Sequence, residues 1–181
     1  MSISNVFLIG PMGAGKTAVG KQLARRLGWD FLDSDREIED RTGVDIPFIF
    51  EKEGEEGFRQ RECKVIEDLT LRQQVVLATG GGAVLDAANR AVLAARGFVV
   101  YLFASVDQQV ERTRAGRNRP LLDTDDPRAR LEELMEVRDP LYRQVADLIL
   151  QTDGQRVTQV AEQIHCNLND VVQPGAGDFN T

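Results

Sequence analysis

Histidine and cysteine are almost absent from this sequence: His165 is the only histidine, and Cys63 and Cys166 are the only cysteines. Their scarcity excludes a histidine–cysteine zinc centre and a disulfide framework, and it suits a reducing cytoplasm. Long apolar runs are missing as well. None approaches the roughly 18 residues of a membrane-spanning helix, so no membrane partner is expected. The opening MSISNVFLIG has no basic lead and no extended apolar stretch, so no export or transit signal is expected. Positive charge is not in excess either. A net charge of −7 argues against a nucleic-acid partner, because binding along a phosphate backbone needs a broad positive field. Any anionic ligand must be met by local positive charge.

What is present points to one globular domain. The 181 residues are 42% hydrophobic and 28% charged, enough for a single sizeable core. The expected domain spans 1–170, and the tail 171–181, VVQPGAGDFNT, lacks periodicity and reads as disordered. Short apolar runs at Asn5 to Ile9, Asp30 to Leu32, Val75 to Ala78, Phe98 to Phe103 and Leu148 to Leu150 have strand length, with helical stretches between them. Such alternation predicts an α/β fold, a parallel sheet covered by helices on both faces, with ligands beyond the carboxyl ends of the strands. Two segments interrupt it. Residues 35–72 carry mostly helical pattern and read as a helical insertion, and 114–126 read as a mobile loop. Asp126 followed by Pro127 predicts a helix start, and Pro140 is expected to kink or restart that helix.

The segment GPMGAGKT, residues 10–17, stands between the first strand and a helix with Val19, Leu23, Ala24 and Leu27 at helical spacing and Gly28 as a stop. It fits the pattern G-x-x-x-x-G-K-[ST]. Gly10, Gly13 and Gly15 let backbone amides turn toward phosphate oxygens, at the positive end of the following helix. Lys16 would reach the β- and γ-phosphates, and Thr17 would ligate Mg²⁺. Nucleoside triphosphate binding follows. No N-K-x-D motif marks a guanine-specific switch protein, and a motor ATPase would ordinarily be longer, so a small phosphotransferase is the economical reading.

A second substrate is implied by FLDSD, residues 31–35. Asp33 and Asp35 stand one residue apart, costly unless a cation or a substrate hydroxyl uses them. Ser34 has a local role open to it, since S-D-R-E matches a capping box with Glu37. The stretch RTRAGRNR places four arginines in eight residues, from Arg112 to Arg119, either as a solvated loop or as the local positive charge that anions require.

Taken together and in order, GPMGAGKT, LDSD, IFEKEGEEGFRQRE, ATGGGAV, RNRPLL and VRDPLY resemble the shikimate kinase family over about residues 5–165. That resemblance implies a nucleoside monophosphate kinase-like fold, a five-stranded parallel sheet with a helical substrate-binding subdomain and a lid. It implies transfer of the γ-phosphoryl group of ATP to the 3-hydroxyl of shikimate, with Mg²⁺, in a cytoplasmic, monomeric enzyme of aromatic amino-acid biosynthesis. Residue by residue, it implies nucleotide contacts from Gly13, Ala14, Gly15, Lys16, Thr17, Ala18, Arg112 and Arg119. Asp33 resembles the acid that holds Mg²⁺ through water, and Asp35 the partner of the reacting hydroxyl. Arg59 and Arg138 resemble the pair that holds the shikimate carboxylate, with Glu62 orienting Arg59. Gly80, Gly81 and Gly82 resemble the glycines in contact with shikimate and the γ-phosphate. Lys16, Asp35 and Arg119 would carry catalysis. Each substrate arginine also has a duller option, Arg59 with Glu55 or Glu62 along a helix surface and Arg138 with Asp139 or Glu133. Two departures from the family pattern stand out: Ser34 where threonine is common, and Pro47 ahead of the IF pair.

Overall fold

The structure, a computed structural model, describes residues 3–114, 116 and 119–172. Five strands form one parallel sheet in the order β2-β3-β1-β4-β5: β1 (Asn5–Ile9), β2 (Asp30–Asp33), β3 (Val75–Ala78), β4 (Phe98–Phe103) and β5 (Leu148–Gln151). The inner strands β1 and β3 are buried throughout and β4 along its middle, which is why they read as continuous apolar runs. Alternate residues serve the two faces. Val6, Leu8, Val76, Val100 and Leu102 pack against α1 (Lys16–Leu27) and α7 (Val157–Val172). Phe7, Ile9, Leu77, Val99 and Tyr101 share the opposite core with α3 (Ile46–Leu69), α4 (Ala87–Arg96) and α6 (Pro127–Val145). The remaining helices are α2 (Ser34–Thr42) and α5 (Val106–Thr113), with short 3₁₀ turns at Ala83–Leu85 and Pro120–Leu122.

Local chemistry sets the ends. Gly28 closes α1 in the left-handed conformation, φ 68°, and donates its N–H to Ala24. Asp126 caps α6 through Ala129 N at 3.0 Å, with Pro127 first in the helix. Pro47 lies in the opening turn of α3, where its missing N–H costs nothing. Within α3, Gly54 takes φ 69° and breaks the element in two. The bidentate pair of Arg61 with Glu53, at 2.6 and 2.8 Å, spans the break.

Two expectations need correction. Pro140 does not restart a helix: α6 runs unbroken from Pro127 to Val145, because Leu131, Arg138, Tyr142 and Val145 bury one face on both sides of the proline. The tail does not begin at Val171 either, since α7 continues through Val172; residues 173–181 lie outside the described residues.

Asn5 opens the central strand with no exposed surface. Its amide donates to Arg72 O at 2.8 Å and Arg96 O at 3.2 Å and accepts from Val75 N at 3.3 Å, tying β1 to the segments that lead into its two neighbours. Asn5→Ala leaves these groups without partners and should lower stability by about 2–3 kcal/mol in urea denaturation. A change under about 0.5 kcal/mol would show that water replaces the side chain.

Candidate active site

The order of the strands puts a crevice at the end of β1, between β3 and β4, and residues 10–17 occupy it. Gly10, Gly13 and Gly15 have φ of 144°, 77° and 87°, available cheaply only to glycine. A Cβ on Gly10 would also strike the Leu102 carbonyl. Gly15 precedes α1 without a side-chain cap, so the first amides of the helix are left for an anion. Lys16 Nζ donates to Gly10 O at 2.7 Å and Pro11 O at 2.8 Å, across the loop. Burial pulls its pKa down to about 8 against the opposing charges of Asp35 and Asp33.

The acids follow from the end of β2. Asp33 Oδ2 accepts from Thr17 Oγ1 at 3.0 Å, while its Oδ1 caps α2 through Asp35 N at 3.0 Å and Arg36 N at 3.2 Å. The capping role expected of Ser34 therefore belongs to Asp33. Ser34 is fully buried and its Oγ instead accepts from Gly80 N at 3.0 Å. Asp35 Oδ1 is buried without a partner. Burial, then the charges of Glu62 and Asp33, raise the Asp35 pKa to about 7, with Lys16 and Arg59 acting in the opposite direction.

Arg59 and Arg138 share the cavity with Asp35. Arg59 Nη1 donates to Glu62 Oε2 at 2.7 Å and Nη2 to Glu55 Oε1 at 3.2 Å. Its Nε, Glu62 Oε1 and Arg138 Nε are buried without partners. Arg138 itself is 3% exposed, which rules out the surface ion pair with Asp139 or Glu133. Asp139 instead accepts from Tyr101 Oη and Arg143, and Glu133 from Arg130. Arg59 does pair with Glu55 and Glu62, yet this leaves its Nε unspent. The glycine run makes room for these charges. A Cβ on Gly80 would lie 2.7 Å from Asp35 Oδ1 and 2.8 Å from Glu62 Oε1, one on Gly81 would lie 3.4 Å from Arg138 Nη1, and one on Gly82 would meet the Arg59 guanidinium.

One cavity of about 850 Å³ joins all of this. Gly13, Gly15, Lys16, Thr17, Ala18, Asp33, Asp35, Arg59, Gly80, Gly81, Gly82, Arg112, Arg119 and Arg138 line it. Ala14 does not: its side chain packs in the core and its N–H goes to Pro11 O at 3.3 Å. Arg112 is exposed and braces the loop, donating to Gly13 O at 2.8 Å and Thr152 Oγ1 at 3.2 Å. Arg119 is half-buried, and burial lowers its pKa against the charge of Asp35. Sequence reasoning missed the apolar walls, Ile46, Phe50, Phe58, Pro120 and Leu121. Phe50 and Phe58 stack at 4.9 Å across the Gly54 break. The four-residue spacing of Ile46 and Phe50, both on one face of the first half of α3, was the available signal.

Thr17 Oγ1 and Asp33 Oδ2 offer a hydroxyl and a carboxylate on the same side of the cavity, hard oxygen donors that fit hydrated Mg²⁺. Among the described residues no cluster of three or more acidic, histidine or cysteine side chains could hold an ion unaided. No helix is long and apolar enough to cross a membrane among the described residues.

The shikimate kinase family model matches residues 12–169. A shikimate kinase of Methylococcus capsulatus is 62% identical over 157 residues, 87% of each chain. One of Thioalkalivibrio sulfidiphilus is 60% identical over 161 residues, 89% of this chain and 85% of the relative. Among solved structures, the shikimate kinase of Acinetobacter baumannii in complex with shikimate superposes with a TM-score of 0.92 at 50% identity, over 94% of this chain and 96% of that one. With the glycine loop, the paired acids and the unspent arginines meeting in one cavity, these likenesses leave a single assignment: the chain belongs to the shikimate kinase family.

Proposed function

We propose that this protein transfers the γ-phosphoryl group of ATP to the 3-hydroxyl of shikimate, giving shikimate 3-phosphate and ADP. The observation that carries the reading is the convergence of Asp35 Oδ1, Arg59 Nε and Arg138 Nε, buried and unpartnered, in the cavity that holds the phosphate loop. Arg59 and Arg138 take the shikimate carboxylate with charge-assisted hydrogen bonds. Asp35 accepts a hydrogen bond from the 3-hydroxyl and takes its proton as the new O–P bond forms and the bond to ADP breaks. Lys16, the loop amides and Arg119 offset charge on the phosphates, the main demand of this chemistry. Mg²⁺, held by Thr17 and through water by Asp33, supplies further charge neutralisation when bound. Arg112 lies against the adenine. Residues 35–72 serve as the substrate-binding insertion and 114–126 as a lid whose closure excludes water. A cytoplasmic monomer is the accompanying reading.

ADP release should require both Mg²⁺ and shikimate. Comparable turnover with gluconate, or ADP release indifferent to any acceptor, would overturn the assignment.

Asparagine variants separate the two acids. Asp33→Asn should raise the Mg²⁺ concentration needed for half-maximal rate and spare shikimate binding measured without nucleotide. Asp35→Asn should keep ordinary Mg²⁺ dependence and lose about 10²- to 10⁴-fold in kcat. Matching profiles would mean that the acids act as one unit.

Stability should report the strain on Asp35. Its folded pKa, about 7, lies above the ordinary value near 3.9, so between these values the native state holds more protons than the unfolded chain. The stability this confers is complete below about pH 4 and lost as pH rises through about 7. Asp35→Asn, neutral throughout, should therefore melt several degrees above the wild type at pH 8 without nucleotide or Mg²⁺, with a smaller gap at pH 5. An equal gap at both values would place the Asp35 carboxyl in water.

A further inference from the structure

The glycine run between the acid and the carboxylate-binding arginines is fastened by two buried hydroxyls that the chemistry above does not use. Ser34 Oγ accepts from Gly80 N at 3.0 Å, and Ser34 immediately precedes Asp35. The Tyr142 hydroxyl donates to Gly81 O at 2.5 Å, one helical turn beyond Arg138. Both side chains have 0% exposure. The Tyr142 ring is fixed against Tyr101, with centroids 4.8 Å apart. Burial raises the Tyr142 pKa, against the lowering charge of Arg138, so the hydroxyl keeps its proton to donate.

Two consecutive residues of one loop are thus tied to two walls of the cavity. The tie from the start of α2 sits beside Asp35, and the tie from α6 sits beside Arg138. Asp35 also sits close against the loop itself, since a Cβ on Gly80 would lie 2.7 Å from its Oδ1. The position of the loop is thus coupled to both walls through these two ties.

We propose that Ser34 and Tyr142 form a two-point gauge: together they set the distance between the acid that meets the acceptor hydroxyl and the guanidinium that meets its carboxylate, and so select a ring acid carrying these groups at that separation. Both are positioning residues, touching neither substrate. The inference rests on the shikimate-phosphorylating reading above. Freeing either tie lets the poles move relative to each other, so that a rigid acceptor is gripped well by only one at a time. The phosphate loop has a brace of its own, Arg112 Nη1 donating to Gly13 O at 2.8 Å.

The test compares Tyr142→Phe and Ser34→Ala with Ser34→Thr, which keeps the hydroxyl. For each, kcat, the KM for shikimate and the KM for ATP are measured. So is the preference for shikimate over the analogue whose carboxylate is reduced to a primary alcohol. Tyr142→Phe and Ser34→Ala should raise the KM for shikimate about ten- to hundredfold, the range for losing one buried hydrogen bond. They should leave the KM for ATP within about twofold and narrow the preference for the carboxylate, and Ser34→Thr should match the wild type in all three. Tyr142→Phe removes a single oxygen and preserves ring packing, so it decides the matter alone if Ser34→Ala does not fold. An unchanged KM for shikimate, or KM values for shikimate and ATP rising together with the preference intact, would overturn the gauge while leaving the function standing. A wild-type enzyme inert toward shikimate would overturn both.

Discussion

Asp35 Oδ1 and Glu62 Oε1 flank one glycine, each buried and each without a partner. Holding two carboxylates there costs free energy, because burial and their mutual repulsion both disfavour the charged forms. The rest of the molecule supplies what offsets it. Lys16 and Arg59 lower the pKa of Asp35 from two different helices, and Arg59 and Arg138 do so for Glu62, whose pKa burial nonetheless leaves raised. Behind them stand two apolar cores, one on each sheet face, and Asn5, which fastens the central strand to its neighbours' approaches. Ionised groups of this kind stay poised only in a framework stiff enough to stop them from relaxing toward solvent or toward one another.

Much of this was legible in the sequence, for reasons that differ by element. The inner strands read clearly because a parallel strand covered on both faces needs no polar alternation. The phosphate loop read clearly because its glycines, lysine and threonine are contiguous and each has its own chemical reason. Long-range pairings were not legible. Ser34 sits in a perfect local capping pattern, yet its hydroxyl bonds to Gly80, 46 residues away, and the adjacent Asp33 takes the cap. Pro140 is a helix breaker by local rule, and buried contacts on both sides overrule it. Helix α7 was open to reading from Val160, Ala161, Ile164 and Leu168, which recur at helical spacing and fill the core beside α1.

The TGGG run shows how a residue type can be read correctly for an incomplete reason. The family resemblance gives these glycines as contacts of shikimate and the γ-phosphate. None of the three glycines has positive φ, so the backbone conformation does not demand glycine. What favours it at Gly80 and Gly82 is the space that Asp35, Glu62 and Arg59 already occupy. The same logic applies at Gly10, where a neighbouring strand's carbonyl fills the Cβ position, although there the backbone conformation also favours glycine.

A chain of net charge −7 that binds two anions must reverse its own field locally. Lys16, Arg59, Arg112, Arg119 and Arg138 line the cavity with three acids, Asp33, Asp35 and Glu62; five cations less three acids leave a formal local excess of two positive charges. This excess is held at a cost: burial lowers the pKa of Lys16, Arg119 and Arg138, and repulsion from Arg119 and Arg138 adds to the effect on Lys16. A phosphate or carboxylate entering the cavity relieves that repulsion for every cation that faces it. Electrostatic focusing in the cavity attracts both anions despite the acidic surface around it.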